Sequence, residues 1–196
     1  MNLRKPLVDE AHRAVETNKT GAISWNYSEG PDRLGQLHEP WAKKIFCDCS
    51  AFIVYLFVWL GLKNPDGSVP PYYTGTELTH GEHIAVIVQN GKPVNFRRLY
   101  AGLVVVYGPD TGWHTAIIVE VRKNGDILSV SMGEQGDPSY VWVNPPVGPS
   151  YGFPYDGRQP QTFLKFNMRT ARKVAKAMKK SDSQFVQSTI DGALHA

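Results

Sequence analysis

The sequence predicts a single α+β domain in which two helices come first and an antiparallel sheet follows. The chain has 196 residues, which is enough for one domain with a complete hydrophobic core. The segment 49–61 is apolar nearly all round, as is typical of a helix buried in the middle of a domain. Short runs rich in β-branched residues follow it and are separated by turn residues, which indicates strands segregated from the helices.

Two helices are predicted in the first third of the chain. The first spans residues 6–19, and its apolar face consists of Leu7, Val8, Ala11 and Val15. Residues 20–47 contain several glycines and prolines and are predicted to be irregular. The second helix spans 49–61, with Asp48 as its N-cap and Gly61 as its terminator.

The sheet is predicted from β-rich runs in the second half of the chain. Residues 64–81 contain strong turn signals and are predicted to form a loop. The candidate strands are Ile84–Gln89, Leu103–Tyr107, Thr115–Val121, Ile127–Ser131, Tyr140–Val143 and Thr162–Phe166. Asn124-Gly125 predicts a hairpin between the third and fourth of these. Residues 144–160 hold five prolines and three glycines, and no regular structure is expected there.

Composition excludes some classes of function. No stretch of about 18 or more apolar residues occurs, so no membrane span is expected. The N-terminus has no apolar segment behind its charged start, and no secretory signal is expected. The two cysteines, Cys47 and Cys49, are one residue apart, a spacing that rarely permits a disulfide. Two cysteines alone also make no zinc site, so each is either a buried structural thiol or a reactive one.

The position of Cys49 favours a nucleophile. A cysteine attacks as the thiolate, and the partial positive charge at a helix N-terminus lowers the pKa of a thiol. Cys49 is the first residue of the predicted buried helix, where backbone N–H groups can also stabilise an oxyanion. The alternative for Cys49 is a small buried hydrophobic residue, as most free cysteines are. Cys47 precedes the cap and is expected to be structural.

His114 and Glu134 are the candidate partners of Cys49. His114 directly precedes the apolar run Thr115–Val121, and a histidine held at the start of a strand suits a general base. Glu134 follows the next predicted strand, and the hairpin brings it within reach of the far nitrogen of His114. Gln135 is the neighbouring alternative, and Glu134 by itself is also compatible with a solvated loop acid.

The residues around Cys49 resemble a known family. Segment 46–52, FCDCSAF, is similar to the Asp-Cys-Ser signature of the NlpC/P60 cysteine peptidases, and the order of the three candidate residues matches that family. More narrowly, segments 73–81, 103–109 and 132–134 resemble the N-terminal peptidase domains of endolysins from phages of actinobacteria.

The chain also departs from the family pattern. Ala51 stands where many members have Gly, and segment 101–103, Ala-Gly-Leu, stands where many have Pro-Gly-Asp. The aromatic residue that some members place upstream of the cysteine has three possible matches, Trp25, Tyr27 and Trp41.

The resemblance implies a papain-like NlpC/P60 fold over residues 1–166, with a central antiparallel sheet and the nucleophile at the N-terminus of a buried helix. It implies hydrolysis of an amide bond in the peptidoglycan stem peptide, typically between γ-D-glutamate and meso-diaminopimelate, with no metal or cofactor. The alternatives are an N-acetylmuramoyl-L-alanine amidase and a non-catalytic cell-wall-binding phage protein. Substrate contacts are expected from residues beside the catalytic three, namely Asp48, Ser50, Trp113 and Gln135.

A basic segment is predicted at the C-terminal end. Residues 165–180 hold seven bases and no acid, and without them 14 bases stand against 18 acids. Residues 167–180 are predicted to form a basic helix, and 181–196 a polar tail or linker. Weak contact with anionic wall polymers is preferred over nucleic-acid binding, and the alternative is a solvated face. We expect a monomer, and the resemblance implies synthesis in the host cytoplasm followed by holin-type release to the cell wall.

Overall fold

An α+β fold with a mainly antiparallel sheet is seen in the computed structural model, which describes residues 4–61, 73–85, 88–89, 92–93, 96–108, 110, 112–133, 138–144 and 160–166. The helices are α1 (Arg4–Lys19), α2 (Cys49–Trp59) and α3 (Thr74–His80), with 3-10 turns at Pro31–Leu34 and Phe96–Arg98. The strands are β1 (Ser24–Tyr27), β2 (Lys44–Cys47), β3 (Glu82–Ile84), β4 (Val88–Gln89), β5 (Lys92–Pro93), β6 (Val104–Tyr107), β7 (His114–Val121), β8 (Ile127–Met132), β9 (Pro138–Asn144) and β10 (Pro160–Lys165). The predicted fold class is confirmed at this level.

Six strands form the main sheet in the order β3-β10-β6-β7-β8-β9. All five neighbouring pairs are antiparallel. Strands β6 to β9 form the predicted meander, and the predicted hairpin at Asn124-Gly125 joins β7 to β8, with Gly125 at a φ of 88°. Strand β10 then returns to the opposite side of β6, where it separates β6 from β3.

Helix α2 is the centre of the hydrophobic core. Every residue of α2 except Val58 is buried, because its sequence offers no polar face to water. Each large side chain that is fully removed from water there contributes about 1.5–3 kcal/mol. The helix packs mainly against β7, and the sheet residues in its core cluster alternate along the strands: Val104, Val106, Ile117, Val119, Val130 and Met132. The intervening residues build a second cluster on the other face of the sheet.

Two segments predicted to lack regular structure do contain it. Strands β1 and β2 lie within 20–47 and pair in parallel, because Trp25 and Ile45 are buried in the core and bring the two segments together. Helix α3 lies within 64–81, where the Thr- and Gly-rich sequence has weak helix propensity. At its start the Tyr73 N–H donates to Thr76 Oγ1 at 3.2 Å, which satisfies one backbone group of the first turn.

The prediction of one continuous strand over residues 84–89 was also wrong. Glu82–Ile84 joins the main sheet as β3, whereas Val88–Gln89 pairs with Lys92–Pro93 in a separate two-stranded sheet. The predicted basic helix and the polar tail after it lie outside the described residues. Within the described part of the chain, no helix is long and apolar enough to cross a membrane.

Replacement of Gly112 is expected to be costly for stability. Its φ is 78°, and a Cβ there would lie 2.6 Å from Val106 Cγ1 and 3.1 Å from Thr74 Cβ. Gly112→Ala should lower the free energy of unfolding by about 2–5 kcal/mol, since left-handed strain adds to overpacking. Gly21→Ala is the matched control, because Gly21 has a φ of 71° with nothing within 4 Å, and should cost about 1–2 kcal/mol. Urea denaturation measures both, and equal losses would contradict the packing argument.

Candidate active site

Asp48 fixes the first turn of α2. Its backbone is extended, with φ −92° and ψ −173°, as an N-cap requires. The Asp48 Oδ1 atom accepts from the Ala51 N–H at 2.7 Å and from Ser50 Oγ at 2.8 Å. The predicted cap is confirmed. Both Asp48 and Ser50 are nearly fully buried, at 7% and 2% exposed, and their side chains brace the turn. Their role as substrate contacts stays a prediction.

Arg33 completes this arrangement and was not predicted. Its Nη1 donates to Asp48 Oδ2 and, at 3.4 Å, to Ser50 Oγ. The Arg33 and Asp48 side chains are only 14% and 10% exposed, so the ion pair is largely removed from water. Arg33 lies in the 3-10 turn Pro31–Leu34, within a segment that showed no periodic pattern, so nothing in the sequence connected it with the helix start.

The thiol of Cys49 lies at the junction of α2 and β7. Cys49 is 7% exposed, and the backbone N–H groups of Thr115 and Ser50 hydrogen-bond to its sulfur. Because Thr115 is the second residue of β7, this contact places the nucleophile candidate at the start of that strand. Cys47, by contrast, is fully buried in the hydrophobic core, and neither thiol is in a disulfide.

The resting Cys49 thiol is harder to ionise than the sequence predicted. Burial raises its pKa well above the ordinary range, and the carboxylates of Asp48 and Glu77 raise it further. The Thr115 and Ser50 N–H groups lower the pKa, but burial prevails. Burial therefore outweighs the predicted lowering of the pKa by the helix N-terminus. A thiol with a raised pKa needs a base that takes its proton before it can attack.

His114 is the first residue of β7, as predicted. Its side chain is buried at 6% exposed, and its ring centroid lies 5.7 Å from that of Tyr107, its partner across the sheet. It directly precedes Thr115, whose N–H holds the Cys49 sulfur. The structure therefore brings the backbone at His114 close to Cys49, although the two residues are far apart in sequence.

Trp113 is exposed beside this site. Its side chain is 55% exposed, and its ring lies so close to Gly108 that a Cβ there would be 2.8 Å from two ring atoms. Gly108 has a φ of 87°, so glycine both permits the turn and leaves room for the ring. Trp113 thus presents an aromatic surface next to His114, and its role as a substrate contact stays a prediction.

The predicted third catalytic residue lies just beyond the described part of β8. The register Ile117↔Val130 runs antiparallel, so the end of β8 at Met132 lies beside the start of β7. This is the hairpin geometry from which Glu134 was predicted to reach His114. Glu134 and Gln135 themselves lie outside the described residues, and the choice between them stays a prediction.

Tyr27 is the upstream aromatic residue that lies at the site. Strand pairing sets Tyr27 opposite Cys47, and the negative charge of Asp48 acts on its hydroxyl. The hydroxyl donates to Glu29 Oε1 at 2.7 Å, and burial together with this bond raises its pKa far above the usual value, so it remains a donor. Of the two other candidate aromatics, Trp25 lies in the core and Trp41 packs against it, with their ring centroids 6.4 Å apart.

Glu77 is a second group that the sequence did not reveal. It is fully buried on α3, and its charge acts on the Cys49 thiol. A glutamate within a segment predicted to be a loop carries no signal of burial, which explains why it was missed. Among the residues that the structure describes, no group of three or more His, Cys, Asp or Glu side chains could hold a metal ion.

Removal of the Arg33 guanidinium should destabilise the fold more than removal of a surface cation. Arg33→Met leaves the largely buried Asp48 carboxylate without this cation and should lower the free energy of unfolding by about 3–5 kcal/mol. Lys5→Met is the control, because the Lys5–Asp9 pair is exposed and should contribute less than about 1 kcal/mol. Denaturant unfolding compares the two, and similar small losses would show that Asp48 does not need Arg33.

The raised thiol pKa predicts the pH dependence of alkylation. Only the thiolate reacts with iodoacetamide, so the Cys49 rate should climb continuously with pH through the range where an ordinary thiol, with pKa about 8.5, levels off. Peptide mass spectrometry separates Cys49 from Cys47. A rate that is constant between about pH 5 and 8 would instead indicate a thiolate–imidazolium pair that is already formed in the resting site.

The residues of the site and their chemistry are the basis for assigning its function. Comparison of the chain with protein-family models finds no match, and comparison with curated proteins finds none either.

Proposed function

We propose that the chain is a cysteine peptidase that hydrolyses an amide bond in the stem peptide of bacterial peptidoglycan. The observation that carries this proposal is the thiol of Cys49, which opens a buried helix and hydrogen-bonds to the N–H group next to His114. In this proposal the imidazole of His114 is the base for that thiol, and the helix supplies first-turn N–H groups that have no intrahelical acceptor.

The reaction begins with proton transfer from Cys49 to His114. The sulfur attacks the carbonyl carbon as His114 takes the thiol proton, which yields a tetrahedral intermediate and an imidazolium. The oxyanion accepts hydrogen bonds from backbone N–H groups at the start of α2. The C–N bond then breaks, and the leaving amine takes the proton from His114. Water, deprotonated by His114, finally hydrolyses the thioester and restores the thiol.

The arrangement of the elements supports a papain-like fold of the NlpC/P60 type. A buried helix that begins at the cysteine packs against an antiparallel sheet, and the strand that it contacts begins at the histidine. In this proposal Glu134 orients His114 from the loop after β8, with Gln135 as the alternative.

The substrate class rests on the resemblance to phage endolysins. In this proposal the peptide or its sugar packs against the exposed ring of Trp113. In this proposal the bond lies between γ-D-glutamate and meso-diaminopimelate, and the protein meets the wall after holin-type release. The amidase reaction uses the same acyl-transfer chemistry on a neighbouring bond, so the products of digestion distinguish the two.

Cys49→Ala should abolish the release of fragments from diaminopimelate-type peptidoglycan while the fold stays intact by circular dichroism. The matched control is Cys47→Ala, which removes the other buried thiol and should retain activity because that side chain lies in the core. Wild-type rates in Cys49→Ala would rule out the cysteine mechanism.

Mass analysis of the same digest identifies the bond. New diaminopimelate amines paired with free γ-carboxyls of D-glutamate support the endopeptidase. New amino termini at L-alanine would assign the amidase reaction instead. Intact wall after incubation with the wild-type protein would contradict the proposed function.

A further inference from the structure

One face of α3 lies against the turn that leads into His114. Thr74 and Glu77 are three residues apart and therefore share a face of the helix. The Thr74 Oγ1 atom donates to the Gly112 carbonyl oxygen at 3.0 Å, and Gly112 is so close that a Cβ on it would lie 3.1 Å from Thr74 Cβ. This contact orients the face that carries Glu77 towards the start of β7.

Glu77 is fully buried there, at 0% exposed. Acidic side chains are almost never removed completely from water unless neighbouring groups compensate, and such residues cluster at functional sites. A negative charge on this carboxylate raises the pKa of the Cys49 thiol, which agrees with the position that the Thr74–Gly112 contact gives to α3.

The candidate site, and strand β3 directly after α3, contain further charged and titratable groups. The start of α2 contributes Cys49 and Asp48, and the Asp48 charge is offset by Arg33. The start of β7 contributes His114, with Tyr107 beside it on β6. On β3, His83 is exposed, and its Nε2 lies 2.7 Å from the Leu78 carbonyl oxygen.

We propose that Glu77 is a positioning residue for catalysis: its buried carboxylate keeps the proton on Cys49 at rest and stabilises the imidazolium once His114 has taken that proton. The catalytic part of this inference rests on the proposed function. A negative charge near the pair disfavours the thiolate and favours the imidazolium. Glu77 therefore acts through Cys49 and His114 and does not itself touch the substrate.

The first test measures the thiol and needs no hydrolysis. Glu77→Gln keeps the shape of the side chain and removes its charge, so the alkylation rate of Cys49 at a fixed pH near 8 should rise about tenfold, as a pKa lower by about one unit requires. Glu82→Gln is the control, because Glu82 pairs with Lys165 at an exposed position. It should leave the rate unchanged. Equal rates in wild type and Glu77→Gln would overturn the proposal.

The second test uses the pH profile of hydrolysis. Loss of the Glu77 charge should lower the pKa of His114, so the acid limb of kcat/KM moves to lower pH in Glu77→Gln. The value of kcat should fall about tenfold or more with little change in KM, because the imidazolium forms only during the reaction. Glu77→Asp keeps the charge and should recover part of kcat. An unshifted acid limb with normal stability would overturn the proposal.

The two tests separate this inference from the proposed function. If wild-type protein releases no wall fragments but Glu77→Gln still speeds alkylation, the proposed function fails and the electrostatic role of Glu77 stands. Should Glu77→Gln not fold, the imidazole of His114 can be titrated by NMR in the Cys49→Ala protein. The proposal requires a midpoint above the ordinary value of about 6.5 in spite of burial, and a lower midpoint overturns it.

Discussion

The candidate site depends on the carboxylate of Asp48. One of its oxygens accepts from the Ala51 N–H and Ser50 Oγ, and the other accepts from Arg33. These bonds join the 3-10 turn Pro31–Leu34 to the first turn of α2 and fix the direction in which the helix begins. Since Cys49 is the next residue, the same bonds determine where its sulfur lies and allow it to meet the Thr115 N–H.

This anchoring has an electrostatic cost for the nucleophile. Asp48 caps the helix as an anion, and that charge opposes ionisation of the adjacent thiol. Arg33 offsets part of the charge, and burial of the sulfur is the largest cause of the raised thiol pKa. Oxidation of cysteine follows thiolate character and exposure. Burial and a raised pKa therefore disfavour oxidation of Cys49 until a base removes its proton.

The features that could be predicted from the sequence are those set by local pattern. The apolar segment after Asp48, the cap itself and the hairpin at Asn124-Gly125 each depend on residues close together in the chain. The start of β7 at His114 followed from the same kind of pattern. For Cys49 the helix-end effect is local and was anticipated, whereas burial arises from packing and reversed the direction of the pKa shift.

The remaining features arise from tertiary contacts. Strands β1 and β2 are four residues each, too short to show alternation, and they form because Trp25 and Ile45 enter the core. Helix α3 has weak propensity and is held by its contact with Gly112. Arg33, Tyr27 and Glu77 surround the thiol only after these segments fold, so no spacing in the chain connects them with Cys49.

Strand β10 gives the fold a definite order of assembly. It is the last described strand in the chain, yet it lies between β3 and β6, and among the described strands β3 pairs with β10 alone. Leu164 of β10 also packs against Gly81, which ends α3, where a Cβ would lie 2.9 Å from it. During synthesis the sheet and the seat of α3 stay incomplete until residues 160–165 leave the ribosome, because pairing of distant segments comes late. The helix that carries Glu77 is therefore seated last, after the elements that carry Cys49 and His114 have been synthesised.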